Sequence, residues 1–254
     1  MQPSSASTHS TVHSSRGTIV TAPAAAMDVA PQLRARPATE AADGLLQMSR
    51  PSAAAGSSAA ALDDTLQSAV ARGDSAAMQA LLLAGAGVDH ADEDGFTALM
   101  MAAVFGRDSM IRVLMHAGAA VDQVWPGDGS APLAQAAANG KAEAMRALIQ
   151  WGASVSHCDV NGHTALITAS RHNHRDIVLL LVRAGAAIDH ADRFGLTALM
   201  NAAQCGCPRS VEALLQAGAD YKVKSNAGDT ALSFAMARNH EHIIRLLREK
   251  GARR

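Results

Sequence analysis

Hydrophobic positions beyond Leu62 follow a helical period in short segments of two kinds. In one kind, a leucine is followed one turn later by small residues, as with Leu99, Ala102 and Ala103. In the other kind, two larger apolar residues lie three or four positions apart, as with Ile177 and Leu181. Residues at these spacings share one face of a helix. The pattern therefore predicts short helices of two types that alternate along the chain.

Two rows of glycine repeat at one period across the same region. The first row has intervals of 34, 33, 33 and 33 residues and comprises Gly95, Gly129, Gly162, Gly195 and Gly228. The second row keeps this period and comprises Gly85, Gly118, Gly152, Gly185, Gly218 and Gly251. Two independent rows at one spacing indicate an internal repeat whose unit is one supersecondary element.

Each unit carries signals for the start and the end of its first helix. Threonine precedes the first helix in most units, and its hydroxyl can accept a hydrogen bond from a free backbone N–H; these residues are Thr97, Thr164, Thr197 and Thr230. The positions predicted to end the first helices hold only Gly or Asn, which readily adopt the left-handed conformation that ends a helix. They are Gly73, Gly106, Gly140, Asn173, Gly206 and Asn239. The unit is thus predicted to be helix, turn, helix and an extended finger.

These residues together resemble the ankyrin repeat family. Two copies run HADEDGFTALMMAA from His90 and HADRFGLTALMNAA from His190. Further copies begin at Asp159 and Ser225, and a degenerate one at Gly129. The resemblance implies an all-α fold, an ankyrin-repeat solenoid of stacked helix-turn-helix units with β-hairpin fingers.

The composition changes near residue 62 and divides the chain in two. Residues 1–61 are rich in Ser, Ala and Pro without a sustained period, which predicts a disordered segment; within it, 42–48 could form a helical turn or dock elsewhere. The ankyrin repeat domain is predicted over 62–254, in six units at 62–90, 91–123, 124–157, 158–190, 191–223 and 224–254. The first and last units are expected to be caps.

Departures from the family pattern affect how the units pack. The histidine of the family motif is replaced by Met100, Ala134, Ile167, Met200 and Ser233. We therefore expect neighbouring units to rely on apolar packing. One residue is inserted in VWPGDGS, so that finger should differ in shape, with Trp125 either tucked beneath it or offered to a partner.

Composition and charge narrow the functional classes. The chain is 48% hydrophobic but only 3% aromatic, a mixture that favours helices, and its formal net charge is −1. Nothing therefore marks the whole chain as a binder of nucleic acid or of membranes. No apolar run reaches the roughly 20 residues of a membrane span. Three cysteines without a framework spacing favour a reducing compartment, and we expect a cytoplasmic protein.

Candidate chemistry is sparse. His90, His157 and His190 share one finger position, but successive helical layers are too far apart for these side chains to hold one zinc ion. Cys205 and Cys207 form either a small-residue turn or a redox pair, and histidines beside the helix-ending turns are expected to be structural. The sequence carries no calcium loop, phosphate loop or nucleophile signature. We predict no enzymatic activity, no cofactor and no metal.

The family resemblance implies instead a contact surface for another protein, on the finger tips and the exposed face of each first helix. The predicted protein-binding residues are Glu93, Asp94, Phe96, Val104, Phe105, Trp125, His163, Arg171, Arg193, Phe194 and Leu196, with Val160, Asn161, His172, Gln204 and Cys205 at equivalent positions. We expect this protein to be a monomer when it binds its partner. Specificity should lie where the two best copies differ, at Glu93 and Asp94 against Arg193 and Phe194.

The first residues leave the cellular context open. They are rich in Ser and Thr, with no acidic residue before Asp28. Such a start resembles the secretion signal of a bacterial type III effector, which would place the protein in a host cell. An organelle transit peptide, a plain extension, and a true start at Met27 or Met48 are the alternatives.

Overall fold

A computed structural model of the chain describes residues 59–252. The predicted disordered segment, up to residue 58 and including 42–48, lies outside the described residues. Within the described part of the chain, no helix is both long enough and apolar enough to cross a membrane.

Twelve helices in six consecutive pairs make up residues 59–252. They are α1 (Ala59–Arg72), α2 (Ser75–Leu83), α3 (Ala98–Phe105), α4 (Asp108–His116), α5 (Pro132–Ala138), α6 (Ala142–Gln150), α7 (Ala165–Arg171), α8 (Arg175–Arg183), α9 (Ala198–Gln204), α10 (Pro208–Gln216), α11 (Ala231–Ala237) and α12 (Glu241–Glu249). First helices pack on first helices from α1 to α11, and second helices pack on second helices from α4 to α12. This arrangement confirms the predicted all-α solenoid.

A finger connects each pair to the next and folds back on itself as a short hairpin. Antiparallel bridges join Ala91 to Thr97, Cys158 to Thr164 and Ala191 to Thr197. The finger with the inserted residue closes one position wider, where the Trp125 N–H donates to the Ser130 carbonyl at 2.9 Å. Each of these fingers is thus closed by contacts within itself.

Threonine caps begin four of the first helices, as predicted. The hydroxyl oxygens of Thr97, Thr164, Thr197 and Thr230 accept hydrogen bonds from the backbone N–H three residues later, at 3.2 to 3.4 Å. Before α5, the third of the first helices, Ala131 offers no such bond, and Pro132 begins the helix instead. Proline suits that place because its missing N–H would have no helical partner.

The six helix-ending positions all have positive φ, which confirms the sequence prediction. The angles run from 57° at Asn239 to 82° at Gly73. Four of the glycines are also covered by the next unit. A Cβ at Gly140 would lie 2.8 Å from the His174 ring, and one at Gly206 would lie 2.7 Å from the His240 ring. Glycine is therefore favoured at these two positions for two reasons, the closeness of the histidine ring and the positive φ.

The covering histidines tie successive units together. A ring nitrogen of His174 lies 3.1 Å from the Ala138 carbonyl, and one of His240 lies 3.3 Å from the Gln204 carbonyl. Each ring donates to a carbonyl at the end of the preceding first helix, where backbone acceptors lack helical partners. These helix-end histidines are structural, as predicted.

Apolar side chains fill the space between the stacked first helices. Met100, Ile167 and Met200, which replace the histidine of the family motif, are all buried. Leucine and alanine contribute most of the remaining core. The units accordingly pack through apolar contact at this position, as expected from the sequence.

Replacing Thr197 by Ala tests the capping interaction. The substitution leaves the Met200 N–H without its acceptor, and we expect the free energy of unfolding to fall by about 1 kcal/mol. Thr168→Ala is the matched control, because Thr168 lies inside α7 and should lose little or nothing. Chemical denaturation of both variants measures the difference; an equal effect at the two sites would contradict the capping role.

Candidate functional site

The finger tips lie side by side and form one continuous surface, which we call the finger-tip ridge. It consists of Glu93 and Asp94, then Pro126, Gly127 and Asp128, then Val160 and Asn161, then Arg193 and Phe194, then Asn226 and Ala227. We number the five fingers in that order.

Backbone hydrogen bonds join neighbouring tips. The Val160 N–H donates to the Asp128 carbonyl at 2.8 Å, the Arg193 N–H to the Asn161 carbonyl at 3.1 Å. The Asn226 N–H donates in the same way to the Phe194 carbonyl at 3.1 Å. Each finger from the third to the fifth is therefore fixed to the one before it, which makes the ridge a rigid surface.

In three of the five fingers, an aspartate of that finger holds the tip by accepting backbone hydrogen bonds. One carboxylate oxygen of Asp192 accepts from the N–H groups of Phe194 and Leu196, at 2.8 and 2.9 Å. Asp92 and Asp159 make the same pair of bonds in the first and third fingers. One oxygen of each of these aspartates is thus engaged by backbone N–H groups, which gives the aspartates a structural role in the fingers.

Trp125 makes the hydrogen bond to the first finger that the backbone of the second finger cannot make. Pro126 occupies the tip position that donates to the preceding finger elsewhere, and proline has no N–H. The indole nitrogen of Trp125 donates instead to the Asp94 carbonyl, at 2.8 Å. The side chain thus replaces the missing backbone donor and keeps the first two fingers joined.

The Trp125 ring also covers Phe96. The two ring centroids lie 5.1 Å apart, and Phe96 is only 3% exposed. Of the two alternatives for Trp125, the structure shows the tucked one. Our expectation that Phe96 and Trp125 are surface residues is wrong, because the inserted finger folds its indole over the phenylalanine.

Two further predicted contact residues, Val104 and Leu196, are buried as well. Val104 lies in the last turn of α3, and Leu196 lies beneath the fourth finger, where its N–H is bonded to Asp192. The expectation that they are surface residues is also wrong. Phe105 and Arg171 are half-buried.

Glu93, Asp94, Arg193 and Phe194 lie exposed on the ridge. The Phe194 side chain is 43% exposed, and Val160 on the neighbouring finger is 58% exposed. The predicted set did not include Asn226, Lys222 or Lys224, which are also exposed in the fifth finger. The repeat period could have located Asn226, because it occupies the tip position of Arg193.

His163 lies between two carboxylates under the third finger. Its Nδ1 is 3.2 Å from an Asp159 oxygen, and its Nε2 is 3.5 Å from an Asp192 oxygen of the next finger. The side chain is 11% exposed. The predicted partner contact at His163 is therefore largely occupied by an interaction between two neighbouring fingers.

The two carboxylates determine the protonation of His163. Burial alone lowers the pKa of this imidazole, but hydrogen bonds to Asp159 and Asp192 outweigh burial and raise the pKa to about 9. Burial likewise raises the pKa of each carboxyl, and hydrogen bonds from His163 and from backbone N–H groups together outweigh it and bring both pKa values below the ordinary one. His163 is thus a buried cation at neutral pH.

The histidines at the shared finger position bond to protein groups. The rings of His157 and His190 donate to the carbonyls of Gly129 and Gly162, at 2.8 and 3.1 Å. Across residues 59–252, no group of three or more His, Cys, Asp or Glu side chains is arranged to hold a metal ion. The histidines serve to join adjacent fingers.

Cys207 is a buried thiol and not a reactive one. It donates to the Arg171 carbonyl at 3.1 Å, and burial raises its pKa to about 11. Both Cys205 and Cys207 are free. A thiol must ionise to attack another sulfur, so the structure favours the small-residue turn over a redox pair.

Comparison with protein families gives matches over most of the helical region. A model of three ankyrin repeats matches residues 120–192 and 184–253, and a model of a single ankyrin repeat matches residues 94–125. The three-repeat model alone accounts for more than half of the chain. A comparison with curated proteins found no match.

Replacing Trp125 by Phe isolates the indole hydrogen bond, because the ring remains to cover Phe96. The Asp94 carbonyl loses its donor, and we expect the free energy of unfolding to fall by about 1 kcal/mol. Trp151→Phe is the control, since that ring is partly exposed at the end of α6. Thermal or chemical denaturation of the two variants gives the comparison. An effect no larger at Trp125 than at Trp151 would refute the bridging role.

The raised pKa of His163 predicts a pH-dependent stability. A folded-state pKa of about 9 against an ordinary value of 6.5 means that the contribution is complete below pH 6.5 and is lost as pH rises through 9. In the variant His163→Leu, which copies Leu196 at the same position of the next unit, this fall should disappear. Unfolding measured between pH 6 and 10 tests it; matching slopes for both proteins would be evidence against the buried cation.

Proposed function

Because this chain belongs to the ankyrin repeat family, we propose that it binds a partner protein through the finger-tip ridge. Ankyrin repeats generally mediate protein–protein contacts. We propose that the chain acts as a monomeric scaffold without enzymatic activity, and that the six helix pairs are its six repeat units. The boundary predicted after residue 61 falls inside α1, which begins at Ala59, so the first unit starts three residues earlier than predicted.

One observation carries the proposal, the exposure of Phe194 and Val160 on a rigid ridge. Aromatic and Arg side chains supply much of the binding energy at protein interfaces, and Phe194 and Arg193 form a single tip. The backbone beneath them is already fixed by hydrogen bonds to neighbouring fingers. A partner would therefore bind without ordering this surface first, which lowers the entropic cost of association.

A second candidate concerns where the binding takes place. The Ser- and Thr-rich start of the chain supports a protein that is secreted into a host cell and binds a host protein there. Cytoplasmic action in the producing cell is the alternative. A reporter fused to residues 1–60 distinguishes them, because only a secretion signal would carry the reporter into another cell.

Truncation of Phe194 tests the ridge as the binding surface. We expect Phe194→Ala in the full chain to weaken binding of a captured partner by at least about tenfold, as for a central interface aromatic. Its thermal stability should stay nearly unchanged, because the ring is 43% exposed.

Leu83→Ala is the matched control, since Leu83 is an apolar side chain, 89% exposed, at the end of α2 and is not one of the ridge residues. Affinity capture with the two variants and the unchanged chain shows whether loss of partner binding is specific to Phe194 or follows removal of any exposed apolar side chain. Equal retention of the partner by Phe194→Ala and by the unchanged chain would refute the assignment of the ridge.

A further inference from the structure

Charge is segregated along the finger-tip ridge and its flanks. The exposed acidic residues Glu93 and Asp94 form the tip of the first finger, and Asp128 lies in the second. Exposed basic residues lie at the other end, with Arg193 in the fourth finger and Lys222 and Lys224 in the fifth. The third finger presents the uncharged Val160 between them.

The other carboxylates of the fingers accept hydrogen bonds from the protein itself, including the exposed Asp189, which accepts from the Asp220 N–H at 3.0 Å. Asp159 and Asp192 turn inward toward His163 and toward backbone N–H groups. Asp220 stands at the base of the fifth finger, where it accepts from the Lys222 N–H, and Asp229 accepts from the Ser233 hydroxyl. The Asp128 carboxylate in the second finger is likewise engaged, since it accepts from the Ser130 N–H at 2.8 Å. The exposed charges at the tips are therefore acidic at the first finger and basic at the fourth.

We propose that the ridge binds an extended protein segment that carries basic residues at one end, acidic residues at the other and an apolar side chain between them. This inference rests on the proposed function and specifies the chemistry of the partner. The basic end lies over Glu93 and Asp94, and the acidic end lies over Arg193 and Lys224. The apolar side chain contacts Val160 and Phe194, which belong to neighbouring fingers.

The spacing of the units sets the length of the segment. Packed helical layers lie about 8–10 Å apart, so three intervals separate the first finger from the fourth by roughly 27 Å. An extended chain advances about 3.3 Å per residue. The segment between the two charged ends is therefore about eight residues long.

The hydrogen bonding of the tips determines how the segment is recognised. The carbonyls of Asp94, Asp128, Asn161 and Phe194 already accept bonds from the following finger. The N–H groups of Val160, Arg193 and Asn226 are used in the same bonds. No open strand edge is left at these positions, so the partner contributes side-chain contacts and not an added strand.

The charge pattern also disfavours other classes of partner. A nucleic acid or an anionic membrane presents negative charge along its whole length. Such a surface would meet repulsion at the exposed Glu93 and Asp94. Only a segment whose charge changes sign along its length matches both ends of the ridge.

Selection from a random library of ten-residue peptides, with the full chain as the target, tests the inference. Enriched peptides should carry Lys or Arg at one end and Asp or Glu at the other, with an apolar residue between. A peptide can bind in either N-to-C direction, because the proposal specifies only that its basic and acidic ends lie at opposite ends of the ridge. Enrichment of peptides without such segregation, or no enrichment, would overturn the inference.

A charge-reversal variant makes the test specific to the ridge. Arg193→Glu with Lys224→Glu replaces two of the three basic side chains at that end by acidic ones, and it should weaken a selected peptide by about tenfold, since two exposed attractions become repulsions. The same variant should bind an all-lysine version of that peptide more tightly than the unchanged chain does. Arg245→Glu with Arg248→Glu, on the exposed face of α12, is the control of equal charge and should change neither affinity.

The outcomes separate this inference from the proposed function. If peptides of unsegregated charge are selected and Phe194→Ala releases them, the ridge binds protein but the inferred partner chemistry is wrong. If neither Phe194→Ala nor the charge reversal affects the selected peptides, both the ridge and the inferred partner are wrong.

Discussion

The hydrogen bond between neighbouring finger tips is the interaction on which the surface of this protein depends. Each bond links an N–H of one unit to a carbonyl of the unit before it, as between Arg193 and Asn161. The bonds leave the side chains pointing outward while the backbone beneath them is fixed. Where Pro126 interrupts the series, the Trp125 indole restores it. The persistence of the contact despite an inserted residue shows how the stack tolerates change.

Residues that hold the fold and residues that are exposed for binding lie within a few positions of one another. Asp192 holds the fourth finger from below, and Thr197 caps the helix that follows. Arg193 and Phe194 lie between them, join the stack through backbone hydrogen bonds and keep exposed side chains. In a repeat protein each unit contacts mainly its neighbours, so such tip residues can vary without disturbing distant units. This explains how one architecture can present an acidic first finger and a basic fourth finger.

The sequence predicted the repeating parts of the structure well. The period located the helices, and the Thr and Gly or Asn positions predicted their caps, because these depend on local backbone geometry. The surface was harder to predict. Phe96 is buried by Trp125, which lies in the next finger and whose position depends on an insertion. His163 is held by Asp192 of the following unit. Both contacts cross between units, and a pattern read within one unit cannot reveal them.

Amide hydrogen exchange at the tips tests the account most directly, because the tips combine exposed side chains with bonded backbones. We expect the amides of Val160, Arg193 and Asn226 to exchange slowly, at rates close to those of the flanking helices. The Ala227 amide, at the neighbouring tip position of the last finger, should exchange much faster. Fast exchange at all four positions would contradict a ridge fixed by tip-to-tip hydrogen bonds.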